Sequence, residues 1–173
     1  IAQNIDEHVL LMDCDLRSPS ISSLFGISEL TDGLSEYLSE AKPLSSLLVK
    51  TNYSKLTLLP AGKVPTNPSE LLSSEQMRRL IKEVKQRYSD RYIIIDTPPP
   101  YLTSETGAIA RQVDGIVIVI QQGKAQKKDV MNLIDMFGRE KILGAVYNFA
   151  KKGLGYGYGK YGYGKYGYGE KNA

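Results

Sequence analysis

Residues 9–19 read Val9-Leu10-Leu11-Met12-Asp13-Cys14-Asp15-Leu16-Arg17-Ser18-Pro19. Four apolar residues run into two aspartates spaced by one, then an arginine, then a proline. A short apolar run closed by a turn signal predicts a buried parallel strand. In extended backbone, residues i and i+2 point to one side. Asp13 and Asp15 therefore start on one face, just past the carboxyl end of the strand, where open α/β sheets bind their ligands. The pattern recurs at Tyr92-Ile93-Ile94-Ile95-Asp96-Thr97-Pro98-Pro99-Pro100. Two buried strands that each deliver a carboxylate at their end suit a nucleotide–Mg²⁺ site, because Mg²⁺ takes few protein carboxylates directly.

Outward from these two strands, helical and extended patterns alternate. Residues 1–8 read as the end of a helix feeding the first strand. Short helices are predicted over 20–25, ending at Gly26, over the turn and helix of 31–38, and from Pro43 to Leu48. Leu56–Leu59 is a strand stopped by Pro60-Ala61-Gly62. Ser69 is a plausible N-cap, and one long helix is predicted from Glu70 to Arg87, with Leu71, Leu72, Met77, Leu80, Ile81 and Val84 mainly on one face. A helix near 104–112 precedes Ile116-Val117-Ile118-Val119-Ile120, whose β-branched run favours a central strand. Lys127–Gly138 reads as helix and Ile142–Tyr147 as the last strand. The alternation predicts an α/β fold with a mostly parallel, doubly wound sheet and helices on both faces.

The chain of 173 residues suits one domain with a tail. Residues 1–150 form the core. Residues 151–173 change character, repeating Tyr-Gly-Tyr-Gly-Lys with no aliphatic side chain after Leu154 but the methyl of Ala173. Glycine at this density makes ordering costly, so the tail reads as disordered. Lys151, Lys152, Lys160, Lys165 and Lys171 against Glu170 give it a net +4, which leaves −1 for the rest of a chain of net +3. The single cysteine, Cys14, excludes an internal disulfide framework and fits a reducing compartment. No apolar run approaches the roughly 20 residues of a membrane span. The lone histidine, His8, has no cluster around it, which excludes a His/Cys metal site and a Ser/His/Asp triad.

Candidate chemistry concentrates at the strand ends. Asp13, Asp15 and Asp96 repel one another unless a cation such as Mg²⁺ lowers the cost of ionisation. Arg17 has two readings, a phosphate fork or a structural pair with Asp15. Asn148, at the end of the last strand, either reads a nucleotide base or serves as a turn amide. Lys63 and Lys124 lie in loops that could face the site, although most loop lysines are simply solvated. Tyr156, Tyr158, Tyr161, Tyr163, Tyr166 and Tyr168 are accessible hydroxyls suited to phosphoryl transfer. Interleaved with lysine, they also fit stacking platforms for single-stranded nucleic acid, or a plain linker.

These residues together resemble the bacterial tyrosine autokinases of capsular and exopolysaccharide systems, which are related to MinD/ParA-type ATPases with a deviant Walker motif. Residues 9–19 resemble the Walker A′ segment and residues 92–100 the Walker B segment. Leu59-Pro60-Ala61-Gly62, Asn67-Pro68-Ser69-Glu70-Leu71-Leu72, Val113-Asp114-Gly115-Ile116-Val117 and Gly144-Ala145-Val146-Tyr147-Asn148 fit further family segments, and the tail fits the tyrosine cluster. Ser104-Glu105 and the Tyr-Gly tail are similar to the branch associated with exosortase-type loci.

The resemblance implies an ATP- and Mg²⁺-dependent protein-tyrosine kinase. Asp13 would be the catalytic base or a water-bridged metal contact. Asp15 would orient the acceptor hydroxyl and the metal waters, and Asp96 would hold Mg²⁺ through water. Arg17 and Asn148 would contact the nucleotide, and the six tail tyrosines would be phosphorylated in trans within a homo-oligomer. It also implies a cytoplasmic protein recruited to the inner face of the plasma membrane by a polysaccharide co-polymerase or chain-length determinant, opposed by a tyrosine phosphatase, with no nucleic-acid partner. The family's Gly-rich P-loop and its strand are absent from the sequence. By family spacing they would end about 15–20 residues before Ile1, so residues 1–173 alone are expected to be inactive. Two other readings stay open: a MinD/ParA-like regulatory ATPase, and a non-catalytic interaction fragment.

Overall fold

The computed structural model describes residues 2, 7–28, 30–101 and 105–150. The element order is β1 (His8–Asp13), α1 (Ile21–Leu24), α2 (Leu34–Glu40), α3 (Leu44–Leu47), β2 (Val49–Lys50), β3 (Leu56–Leu59), α4 (Pro68–Ser73), α5 (Glu75–Arg87), β4 (Arg91–Asp96), α6 (Glu105–Ala110), β5 (Ile116–Gln121), α7 (Lys127–Phe137), a 3₁₀ turn (Arg139–Lys141) and β6 (Ile142–Asn148). The predicted helix end at 1–8 falls mostly outside the described residues, as does the tail.

β1 is the hub of a four-stranded sheet of order β2-β3-β1-β4. It runs parallel to β3 on one side and to β4 on the other, with Leu10 opposite Ile93 and Asp13 opposite Asp96. Only the two-residue β2 runs antiparallel, along the outer edge of β3. β5 and β6 form a separate parallel pair. Among the described residues the outer edge of β4 and the free edge of β5 carry no ladder bonds. The α/β class and the mostly parallel strands are as the alternation predicts.

Strand alternation sorts the four-stranded sheet into two faces. Leu10, Met12, Leu59, Ile93 and Ile95 meet α2, α4 and α5 in one continuous core. Helix α5 supplies Met77, Leu80, Ile81 and Val84, spaced so that all four face inward. Burial of each contributes about 1.5–3 kcal/mol. Asp13 and Asp96 belong to the opposite face, together with Tyr92 and Ile94, which remain 52% and 40% exposed.

The long helix predicted over 70–87 is two helices. Pro68 opens α4 with Asn67, not Ser69, at the N-cap position. At Ser74 the backbone turns extended, and the Ser74 hydroxyl accepts the Met77 N–H at 3.1 Å to start α5. A serine that can cap competes with helix continuation.

The amino end of α2 rests directly on the backbone that follows β3. The Leu34 and Ser35 N–H groups donate to Pro60 O and Ala61 O at 2.8 and 2.9 Å. A Cβ at Gly33 would collide with Pro60 O and Gly62 N. Glu36, buried, locks the contact by accepting the Gly33 N–H at 2.7 Å and the Lys63 N–H at 3.2 Å.

Candidate active site

The parallel register of β1 and β4 sets Asp13 opposite Asp96. The Cys14 N–H donates to Asp96 O at 2.9 Å, which carries the ladder one residue past the strand end. Asp13 is fully buried. Its Oδ1 accepts the Asp15 N–H at 3.1 Å and its Oδ2 accepts the Ile21 N–H at 3.2 Å. One carboxylate thus shapes its own loop and anchors the start of α1. Asp15 accepts the N–H groups of Arg17 and Ser18 on Oδ1, at 3.2 and 3.0 Å. These bonds fold residues 15–18 into an Asx-type turn.

Burial raises the Asp13 pKa above the ordinary carboxylate value, opposed by the Ile21 and Asp15 N–H bonds and reinforced by the charge of Asp15. Asp96 is also raised, first by desolvation from the surrounding protein although one side is open to solvent, then by the charges of Asp13 and Asp15. Complete burial, with Asp13 and Asp96 beside it, pushes the Cys14 thiol far above its usual range, so it packs rather than reacts. A cation near the two acids would favour their charged forms. Among the described residues no three His, Cys, Asp or Glu side chains converge into a protein-only metal cage. The donor set fits a hard cation that keeps much of its shell as water and phosphate oxygen.

Arg17 does not pair its side chain with Asp15. Its Nε donates to Glu105 Oε1 at 3.2 Å and its Nη2 to Ser69 Oγ at 2.5 Å. Asn148 ends β6 opposite Gln121, is exposed, and turns its Oδ1 to the Phe149 N–H at 2.8 Å. It lies in the two-stranded sheet, with no ladder bond to β1 or β4. Lys63 pairs with Asp32 at 3.4 Å, and Lys124 sits in an exposed turn. The structure therefore gathers Asp13, Asp15 and Asp96, and holds Arg17 beside them through other partners. The six tail tyrosines lie outside the described residues.

The sequence gives Glu105, Ser69 and Glu36 no role in the site. Glu105 had one visible signal: it is the only carboxylate between Asp96 and Asp114 and opens the helix after a triple proline. Ser69 reads as a cap, and nothing in the sequence marks Glu36 beyond its place in a first helical turn.

Residues 2–142 match the family described as AAA domain. Tyrosine-protein kinase CpsD of Streptococcus agalactiae is 35% identical over 141 residues, which cover 80% of this chain and 61% of that relative. The chain thus spans about three-fifths of the length of this curated relative. The crystal structure of the VpsO kinase domain superposes with a TM-score of 0.77 at 34% identity, covering 87% of this chain and 73% of that one. The septum site-determining protein MinD of Pyrococcus horikoshii, complexed with Mg-ADP, shares the fold at a TM-score of 0.66 and 20% identity, over 82% of this chain and 58% of that one. The likeness read from residues 9–19 and 92–100 extends over residues 2–142, and the chain is a member of the AAA domain family, similar to bacterial tyrosine-protein kinases.

Proposed function

We propose that this chain is part of an ATP-dependent protein-tyrosine autokinase that phosphorylates its own carboxyl-terminal tyrosines between subunits. The observation that carries the reading is the in-register placement of Asp13 opposite Asp96, with Asp15 on the same loop, in a chain that ends in six glycine-spaced tyrosines. Asp13 takes the proton from a tyrosine hydroxyl as that oxygen attacks the γ-phosphorus of ATP and ADP leaves. A carboxylate with a raised pKa is the better base for this step. Asp15, fixed by two backbone N–H groups, orients the hydroxyl and water. Asp96, open on one side, would hold Mg²⁺ through water. When bound, Mg²⁺ neutralises charge on the transferring phosphoryl group.

The sheet supports a further part of this reading. Among the described residues β4 and β5 each present an unpaired edge, and Tyr92, Ile94, Val117 and Val119 of these strands are 52%, 40%, 53% and 64% exposed. Parallel sheets are normally covered on both faces, and open apolar edges are a liability. A parallel strand between β4 and β5 would join the two sheets. A Gly-rich loop after it would reach the strand ends beside Asp13 and Asp96, where its N–H groups could cradle phosphates. In this reading that P-loop segment belongs to the whole protein, and residues 1–173 alone bind ATP·Mg²⁺ weakly or not at all.

Carrying the resemblance of the sequence further, we propose that the whole protein works at the inner face of the plasma membrane. There it acts with a membrane-bound chain-length determinant in exopolysaccharide export and is opposed by a phosphatase. Among the described residues no helix is long and apolar enough to cross a membrane. A second reading, a MinD-like switch ATPase, draws on the shared fold with the Mg-ADP complex. Incubating the full-length protein with ATP·Mg²⁺ and mapping phosphotyrosine separates the two. Label on Tyr156–Tyr168 supports the kinase, and hydrolysis with no tyrosine label supports the switch.

A further inference from the structure

We propose that Glu105 is a positioning residue: it holds the Arg17 side chain, and through Arg17 it fixes the Asp15 carboxylate. The bonds form one unbroken chain. Glu105 Oε1 accepts Arg17 Nε–H at 3.2 Å, and the Arg17 backbone N–H donates to Asp15 Oδ1 at 3.2 Å. Arg17 Nη2 adds a third anchor on Ser69 Oγ of α4 at 2.5 Å.

Packing does not account for Glu105. Its side chain is 1% exposed, and its Oε2 is buried with no hydrogen-bond partner among the described residues. Burying a carboxylate with half its acceptor capacity unused is costly, and a buried ion pair is weak evidence of a stabilising role. Arg17, at 48% exposure, does not need Glu105 to satisfy its charge, since water can reach it. What the pair provides is registry. Glu105 closes the loop that leaves β4 at Asp96, and Thr106 beside it donates its hydroxyl to Pro98 O at 2.9 Å within that loop. Arg17 lies on the loop that leaves β1 at Asp13. The Arg17–Glu105 bond thus ties the loop that carries Asp15 to the start of α6.

The catalytic consequence rests on the kinase reading, but the clamp can be tested without it. In the 173-residue chain, amide hydrogen exchange is measured for Glu105→Ala, Arg17→Ala and the double variant. The Ser18 amide, bonded to Asp15, is expected to exchange about tenfold faster or more in each, with Leu10–Met12 unchanged. The double variant should add nothing beyond Arg17→Ala alone. Arg17 is half-exposed, so Arg17→Ala tolerates folding even if Glu105→Ala does not. Unchanged Ser18 exchange in Arg17→Ala, or additive effects in the double variant, overturns the clamp. In the full-length protein, Glu105→Ala is expected to lower kcat about tenfold or more with the KM for ATP within about twofold. Glu105→Gln, which keeps one acceptor, should recover part of the loss. A rise in KM at constant kcat overturns the positioning role. If the unaltered protein labels no tyrosine, the kinase reading fails while the exchange result still decides the clamp.

Discussion

Asp13→Asn separates the two jobs of the residue at the centre of the site. In the folded chain both Asp13 oxygens accept backbone N–H groups, from Asp15 at 3.1 Å and Ile21 at 3.2 Å. An amide keeps one acceptor and turns an NH₂ toward the other N–H. Leaving that N–H unsatisfied costs about 1–3 kcal/mol. An offset acts in the other direction. The Asp13 pKa is raised in the fold, chiefly by burial, so the folded state holds its proton more tightly than the unfolded chain does. The stability tied to that proton is fully present below the ordinary carboxylate value. It is lost as pH rises through the folded value. At pH 7 the native chain carries the whole penalty and the Asn variant carries none. The expected net destabilisation is therefore below about 2 kcal/mol at pH 7, and larger near pH 4. Urea unfolding followed by circular dichroism at the two pH values measures it. In the full-length protein, loss of the base should lower tail phosphorylation by about 10²–10⁴. Destabilisation above about 4 kcal/mol, a cost that grows with pH, or near-normal phosphorylation would refute the reasoning.

Asp96→Asn should stabilise the chain at pH 7 by about 0.5 kcal/mol, the scale of screened surface charge effects. Its raised folded pKa makes the ionised form a cost there, so the gain should vanish as pH falls below the ordinary carboxylate value. Gly33→Ala should cost about 3 kcal/mol in thermal unfolding, because a Cβ there would lie 2.5 Å from Gly62 N; a loss under about 1 kcal/mol would mean that the contact relaxes freely. Isothermal titration should find no tight, Mg²⁺-dependent ATP binding to residues 1–173. Each tail phosphate adds about −1.5 to −2 charges, so about three reverse the tail's +4. Heavily phosphorylated full-length protein should then sediment as smaller species than the unmodified form.

The two strand-end aspartates were legible because an apolar run that stops at a carboxylate encodes both a buried strand and its edge. Their register against each other was not, since pairing is a tertiary choice. The break at Ser74 was hidden by apolar spacing that continues across it from Leu72 to Met77. Only the extended backbone at Ser74 shows that its hydroxyl caps rather than faces solvent. The two-residue β2 carries no pattern long enough to read. Arg17 was placed near the site, but its partner is 88 residues away, beyond any spacing rule. The open edges of β4 and β5 follow from strand order, which alternation alone leaves undetermined.

Phosphoryl transfer between subunits is tested most directly by mixing two full-length proteins. One keeps Asp13 and has Tyr156, Tyr158, Tyr161, Tyr163, Tyr166 and Tyr168 changed to Phe. The other keeps its tail and carries Asp13→Asn. With ATP·Mg²⁺, the proposed mechanism predicts phosphotyrosine on the tail of the Asp13→Asn protein only when its partner is present. An unlabelled tail in the mixture, while the unaltered protein labels itself normally, would contradict it.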